Sequence, residues 1–309
     1  MTPVDTTIAI IVATLAAGTP LVFAALGELI TERSGVLNLG IEGMMLMGAV
    51  MGFIAAAETG NLLLAVIIGI LAGAAMALIF AFLTLSLLAN QVATGLALTL
   101  FGIGASSFAG LDYTSVALAG IPSIHIPVLS DLPLLGPLVF SFDPLVYLSF
   151  VLFAVVAWFL YRSRAGLVLR SVGESPDSAH AIGYSVVRIR YLAVLFGGAM
   201  AGLGGVYLSV VLTPLWVENM TAGRGWIALA LVVFSTWRPA RVLIGAYLFG
   251  GVTIIQFHIQ GIGVDIASQL LSMLPYLATI LVLVLISRDL ATIRLNAPAS
   301  LGKPFHPDM

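Results

Sequence analysis

The chain has 309 residues, of which 61% are apolar and 8% are charged, with a formal net charge of -2 and no cysteine. Soluble domains carry about 25% charged residues, so the charged side chains here are too few to cover a surface in water. The composition excludes a soluble domain, a disordered chain, a secreted disulfide scaffold and a nucleic-acid binder. It predicts an all-α, polytopic helical membrane protein.

A bilayer core of about 30 Å requires about 20 apolar residues in a helix, and about nine segments of the chain meet or approach that length. They lie at residues 6–27, 43–57, 62–85, 92–110, 142–161, 191–213, 225–237, 242–258 and 269–287. Two of them, 43–57 and 225–237, are too short to cross as straight helices, because 13 residues reach only about 20 Å. They are either broken helices that line a protected path or ordinary spans whose ends extend past the apolar run.

The basic residues predict the orientation of the chain. No Lys or Arg occurs at the 128 positions between Arg33 and Arg162, and five arginines then fall within residues 162–190. The positive-inside rule places this loop in the cytoplasm. Alternation of the spans predicts an N-terminus outside, a cytoplasmic C-terminus and a single transmembrane domain over 1–309.

The first polar block, residues 27–43, reads GELITERSGVLNLGIEG between two apolar runs. Its glycines permit an unwound segment, which at membrane depth needs protein or water partners for its amides. Because ionisable residues at this depth mark solute paths, we predict that Glu28, Arg33, Asn38 and Glu42 belong to a pathway or gate. The alternative is a cytoplasmic turn with solvated charges.

The basic loop 162–190 contains a short helix with recognisable ends. Ser175 suits the N-cap, Pro176 the first helical position and Asp177 the positive helix end. Gly183 suits the position after the helix. These residues predict a helix of about two turns from Pro176 to Ile182.

One face of this short helix is expected to dock on another protein. Ala179 and Ile182 form an apolar stripe that Val186 extends, and a helix this short gains stability by docking. Glu174 and His180 complete the predicted contact element. The alternative is a capped helix that only closes the loop.

The third polar block surrounds the short run 225–237, which Trp216 and Trp237 bracket as an aromatic belt would. Arg224 stands on the predicted outer side of this run. It could neutralise Glu218, bind a solute or extend to the lipid headgroups. We group it with the predicted pathway residues.

Motifs of catalysis are missing from the sequence. It contains no G-x-x-x-x-G-K-[ST], G-x-S-x-G or H-E-x-x-H motif. We therefore predict that the chain is not an enzyme, has no catalytic residues or metal site, and binds no cofactor itself. The acidic residues Glu28, Glu32 and Glu42 leave a secondary carrier or channel as an alternative function.

Three stretches carry a family resemblance. They are ALGELITERSGVLNLGIEGMMLMGA at 25–49, GLVLRSVGESPDSAHAIGYSVVRIRYLA at 166–193 and GRGWIALA at 223–230. In this order they resemble signatures of the permease family of bacterial ABC importers that includes the branched-chain amino acid and simple sugar systems. The sequence is most similar to the nucleoside-uptake branch of that family.

The resemblance implies a type II ABC importer permease fold in the bacterial cytoplasmic (inner) membrane. The helix between Ser175 and Gly183 would be the coupling helix, seated in a cleft of a cytoplasmic ABC ATPase that holds ATP and Mg. The other implied partners are a homologous second permease subunit, an external substrate-binding lipoprotein and membrane lipid. The implied solute is a nucleoside, and a simple sugar is the second candidate.

Overall fold

A computed structural model describes residues 3–124, 127, 130, 132, 135–261, 270–271, 273–274, 277–278, 280–281, 284 and 296–306. In this part of the chain the regular structure is helical, apart from one isolated bridge between Ala117 and Leu215. The α-helices are α1 (Pro3–Arg33), α2 (Ile41–Thr59), α3 (Leu62–Ala81), α4 (Gln91–Ala109), α5 (Leu135–Val139), α6 (Pro144–Arg162), α7 (Arg164–Glu174), α8 (Pro176–Ala181), α9 (Val186–Val206), α10 (Arg224–Phe234) and α11 (Pro239–Gly261). Helices α3 and α9 continue as π-helical turns, Phe82–Ser86 and Tyr207–Leu212.

Seven described helices are long and apolar enough to cross a membrane: α1, α2, α4, α6 and α11, and α3 and α9 with their π-helical turns. The predicted short run 43–57 lies inside α2, whose 19 residues are sufficient for a span. Helix α2 therefore extends past both ends of the apolar run. The run 225–237 does correspond to a short helix, because α10 has only 11 residues. Most of the predicted span 269–287 lies outside the described residues.

Helices α2 and α9 form the centre of the bundle. In the most apolar stretch of each helix, 72% of α2 and 78% of α9 is buried inside the protein, against 28% of α3, α4, α6 and α11. Close approach depends on glycine, since a Cβ atom on Gly48 of α2 would lie 2.5 Å from the carbonyl oxygen of Gly202 on α9. Small residues at a membrane helix interface allow such backbone contact.

The short helices α7 and α8 and the chain segment 296–306 lie at one end of the bundle, which we call the α8 end. Ser300 N donates a hydrogen bond to Gly173 O at the end of α7, and Gly302 N donates to Gly35 O just after α1. Segment 296–306, which we call the tail strap, thus connects α7 to the end of a membrane-spanning helix.

Candidate functional site

An unwound crossover segment, residues 34–40, joins α1 to α2 inside the protein. Leu37 N donates to Gln91 Oε1 at 2.8 Å, and Thr99 Oγ1 donates to Leu39 O at 3.0 Å. Side chains of α4 therefore satisfy backbone groups that have no helical partner, as irregular backbone at membrane depth requires.

Asn38 shapes this crossover segment. Its Oδ1 accepts a hydrogen bond from Gly40 N at 2.9 Å, and its own backbone N–H donates to Glu28 Oε1 at 3.2 Å. Asn38 and Glu28 are both fully buried, and Glu42 is 2% exposed. The alternative of a turn with solvated charges is therefore wrong for these three residues.

Glu42, in the first turn of α2, caps the beginning of α10. Its Oε1 accepts hydrogen bonds from Thr221 Oγ1 at 2.6 Å and Gly223 N at 2.8 Å, and its Oε2 accepts one from Gly225 N at 2.6 Å. Backbone amides at a helix N-terminus stabilise an anion, so α10 supplies a site for this buried carboxylate. Gly225 is required, because a Cβ atom there would lie 2.6 Å from Glu42 Cα.

Arg224 lies deeper than predicted. The start of α10 meets Glu42, and the adjacent Gly43 packs on Leu98 and Thr99 in the middle of α4. The first residue of α10 is thus level with mid-helix and not with the outer helix ends. Arg224 is half-buried and its Nη1 donates to Met220 O at 3.1 Å, so the outer-surface placement is wrong.

The two tryptophans around α10 are not an aromatic belt. Trp216 is fully buried beside Ala49 and Phe53, and Trp237 is 3% exposed. The indole N–H of Trp237 donates to Glu32 Oε2 at 2.5 Å. The prediction of headgroup contacts for this pair is therefore wrong.

Arg33 lies at the α8 end, apart from the Glu42 cap. Its Nη2 donates to Trp237 O at 2.7 Å and its Nη1 to Asn296 O at 3.0 Å. Arg33 is five residues beyond Glu28 on α1, or about 7.5 Å along the helix axis. These contacts fix the end of α1 to the turn that follows α10 and to the tail strap, and they do not bring Arg33 together with the other predicted pathway residues.

The capped helix predicted in the basic loop is α8. Ser175 is its N-cap and accepts from Ser178 N at 3.4 Å, and Pro176 is its first residue. The helix ends at Ala181, one residue before the predicted end, and Gly183 adopts φ +95°. The predicted caps are confirmed.

The predicted docking stripe on α8 is wrong. Ala179 is 2% exposed and Val186 is 1% exposed, and both pack with Val172 and Phe305 in a small core of their own. Ile182, by contrast, is 72% exposed. The face available to a partner is thus the one that carries Ile182.

The exposed part of α8 borders a groove. Glu174, Asp177 and His180 are exposed, and they line a cavity of about 680 Å³ between α8 and the tail strap. The His180 and Phe305 rings form a T-shaped pair with their centroids 5.6 Å apart. The predicted contact residues therefore do lie together, with the tail strap beside them.

Arg190 is a central residue of this region that the sequence pattern did not single out. It is 1% exposed, and its Nε donates to Ser34 O at 3.1 Å. Its Nη2 donates to Ser300 Oγ at 3.1 Å and its Nη1 to Lys303 O at 3.2 Å. One guanidinium thus joins α9, the crossover segment and the tail strap.

The sequence is similar to those of known transport proteins. The family described as branched-chain amino acid transport system, permease component, matches residues 10–286. A protein of Haloferax volcanii provisionally named a glucose ABC transporter permease is 42% identical, over 96% of this chain and 97% of that protein. A guanosine ABC transporter permease of Bacillus subtilis is 34% identical over 96% of each chain. A nucleoside ABC transporter permease of Lactococcus lactis is 31% identical, over 90% of this chain and 92% of that protein.

Proposed function

The chain belongs to the permease family of branched-chain amino acid transport systems, and we propose that it forms half of the path by which an ATP-driven importer carries nucleosides across the cytoplasmic membrane. The observation that carries this proposal is α8. It is a capped helix with an exposed apolar residue, Ile182, and its inner face is tied to the membrane-spanning helices.

ATP and Mg would be held by a separate ABC ATPase at the α8 end. We assign ATP binding to a separate subunit because this chain has no P-loop motif. We place that subunit at the α8 end because the basic loop, which contains the coupling helix, is expected to face the cytoplasm. The remaining partners would be a homologous second permease subunit and an external substrate-binding lipoprotein. We infer the type II importer fold with nine spans, the N-terminus outside and the C-terminus cytoplasmic.

The contacts suggest how movement of α8 would reach the membrane. Ala179 of α8 packs on Phe305 of the tail strap, and the strap is bound to Arg190 through Ser300 and Lys303. Arg190 in turn holds Ser34 at the start of the crossover segment. Displacement of α8 by the ATPase would therefore pull on the connection between α1 and α2.

The far end of the same connection is the Glu42 cap. Asn38 holds the crossover segment against Glu28, and Glu42 follows four residues later with its carboxylate on the amides of Gly223 and Gly225. A shift of the crossover segment would move α10 with it. We propose that this shift opens and closes the path.

The proposed solute is a nucleoside, with a simple sugar as the second candidate. Two of the relatives are a guanosine and a nucleoside permease, at 34% and 31% identity. The sugar is kept because the 42% identical relative bears a glucose permease name. Both solute classes are neutral and rich in hydroxyl groups.

Reconstituted transport tests the proposal. The full chain, purified with its ATPase, second permease and lipoprotein, is placed in liposomes, and uptake of labelled guanosine and glucose is measured with and without ATP. ATP-dependent uptake of guanosine supports the nucleoside assignment, and ATP-dependent uptake of glucose alone supports the sugar. Uptake by this chain alone under an ion gradient supports a secondary carrier and contradicts the proposal.

A further inference from the structure

A separate cavity at the α8 end collects positive charge. It has a volume of about 520 Å³ and lies where the ends of α1 and α6 meet α7 and the start of α11. Among the described residues that line it are Arg33, Arg170 and Arg238, together with Tyr161, and none is a carboxylate.

Hydrogen bonds within the protein leave the charges of Arg33 and Arg170 without a carboxylate partner. Arg33 donates to the carbonyl oxygens of Trp237 and Asn296, and its Nε is buried with no partner among the described residues. Arg170 donates from Nε to a carbonyl at 3.4 Å, and its guanidinium carbon lies 5.8 Å from the centre of the Tyr161 ring. Neither forms an ion pair in the described part of the chain.

Arg238 adds a third arginine to the lining of the cavity. It is exposed and immediately precedes Pro239, the first residue of the 23-residue helix α11. The positive end of that helix therefore faces the same space. A smaller adjoining cavity of about 250 Å³ shares Arg33 and Arg170 and contains Glu174, so an acid borders the cluster on one side.

We propose that this cavity binds a phosphate group. Three like charges in one partly enclosed space repel one another, and an anion between them removes that repulsion. Phosphate is the anion that fits best, because planar guanidinium groups bind its oxygens in pairs. Basic pockets between membrane helices on the cytoplasmic side bind phospholipid headgroups in this way. The phosphate belongs either to an anionic lipid headgroup or to a free phosphate ion.

The test uses the full chain in lipid nanodiscs that contain phosphatidylglycerol and phosphatidylcholine. Native mass spectrometry counts retained phosphatidylglycerol, and equilibrium dialysis with radiolabelled inorganic phosphate measures binding of the free ion. The site variant is Arg170→Gln with Arg238→Gln. The matched control is Arg164→Gln with Arg188→Gln, which removes two exposed arginines that do not line the cavity.

The wild type and the control are expected to bind one phosphate-bearing ligand, and the site variant to bind it at least about tenfold more weakly. Loss of retained phosphatidylglycerol identifies a lipid headgroup as the source, whereas loss of inorganic phosphate binding identifies the free ion. Equal loss in the control and the site variant, or no binding by the wild type, overturns the proposal. Because Arg238 is exposed, the single variant Arg238→Gln is expected to fold and to show a partial loss in the same assay.

Discussion

The amide nitrogen of Gly225, in the first turn of α10, lies 2.6 Å from Oε2 of Glu42, in the first turn of α2. The two helices thus meet end to end inside the protein, and backbone amides stabilise the buried carboxylate there. A contact of this kind holds in place a helix whose 11 residues are too few to span the bilayer on their own. It also makes the position of α10 depend on the segment that precedes α2.

Glu42→Gln should weaken this junction. The amide keeps one acceptor oxygen but turns an NH₂ group toward a backbone donor, so we expect a loss of about 2–3 kcal/mol in stability and loss of uptake. Thermal unfolding of the purified protein and solute uptake measure the two effects. Glu218→Gln, at an exposed carboxylate near the start of α10, is the control and should leave both unchanged. Wild-type stability of Glu42→Gln would contradict the assigned role.

Arg190→Gln should separate ATP hydrolysis from transport. The shorter amide cannot reach Ser34, Ser300 and Lys303 together, so the tail strap loses its tie to the crossover segment. We expect hydrolysis by the assembled complex to continue while uptake falls by about tenfold or more. Arg188→Gln, an exposed neighbour on α9, should retain coupling. A parallel decline of both activities would indicate a merely structural role for Arg190.

The caps of α8 could be predicted from the sequence, but the long-range contacts could not. The caps of α8 follow from Ser175, Pro176 and Gly183, because capping depends on residues a few positions apart. The direction in which α8 faces depends on Phe305, more than 120 residues later in the chain. For this reason the expected docking role of Ala179 was wrong and that of Ile182 remains a prediction.

The candidate site could likewise be predicted only in part. Glu28, Asn38 and Glu42 stand out in the sequence because polar residues are rare in so apolar a chain. Their burial and their partners could not be predicted, since the partner of Glu42 lies around residue 223 and is mostly backbone. A sequence does not show which backbone amides bind a side chain. Only the glycines that let a side chain approach them give an indication. Arg190 was not predicted as a site residue, because the positive-inside rule by itself accounts for an arginine in a cytoplasmic loop.

Gly48→Ala should disturb the centre of the bundle. A methyl group there would meet the backbone of Gly202, and overpacking of this kind costs about 1–3 kcal/mol. Gly104 on α4 is the matched control, because a Cβ atom there meets nothing within 4 Å. Gly104→Ala should be neutral or stabilising by up to about 1 kcal/mol, since alanine is favoured over glycine in a helix. Equal unfolding temperatures for the two variants would contradict the close approach of α2 and α9.

Asp143 should give the stability a pH dependence. It caps α6 through Leu145 N at 2.9 Å and Val146 N at 3.1 Å, and burial raises the pKa of its carboxyl above the ordinary value. The folded state therefore holds the proton more tightly than the unfolded state, so stability at this site is highest below the ordinary pKa of about 3.9 and is lost as the pH rises through the raised pKa.

Asp143→Asn keeps a capping oxygen but removes this titration. The unfolding temperature of the wild type relative to Asp143→Asn should accordingly fall as the pH rises from about 4 to about 7. Asp112→Asn, at a residue outside the long helices, is the control. If the unfolding temperature of the wild type instead rises relative to that of Asp143→Asn as the pH increases, folding stabilises the ionised carboxylate. That result would contradict the prediction.

The most direct test of the account is the accessibility of Ile182. Because the chain contains no cysteine, Ile182→Cys introduces a single thiol at the exposed tip of α8, and Leu111→Cys introduces one at an exposed position after α4. Both variants are labelled with a maleimide reagent in detergent, with and without the ABC ATPase. We predict that the ATPase protects the thiol at position 182 by about tenfold and leaves the thiol at position 111 unprotected. Equal labelling at position 182 in the presence and absence of a bound ATPase would contradict the assignment of α8 as the coupling helix.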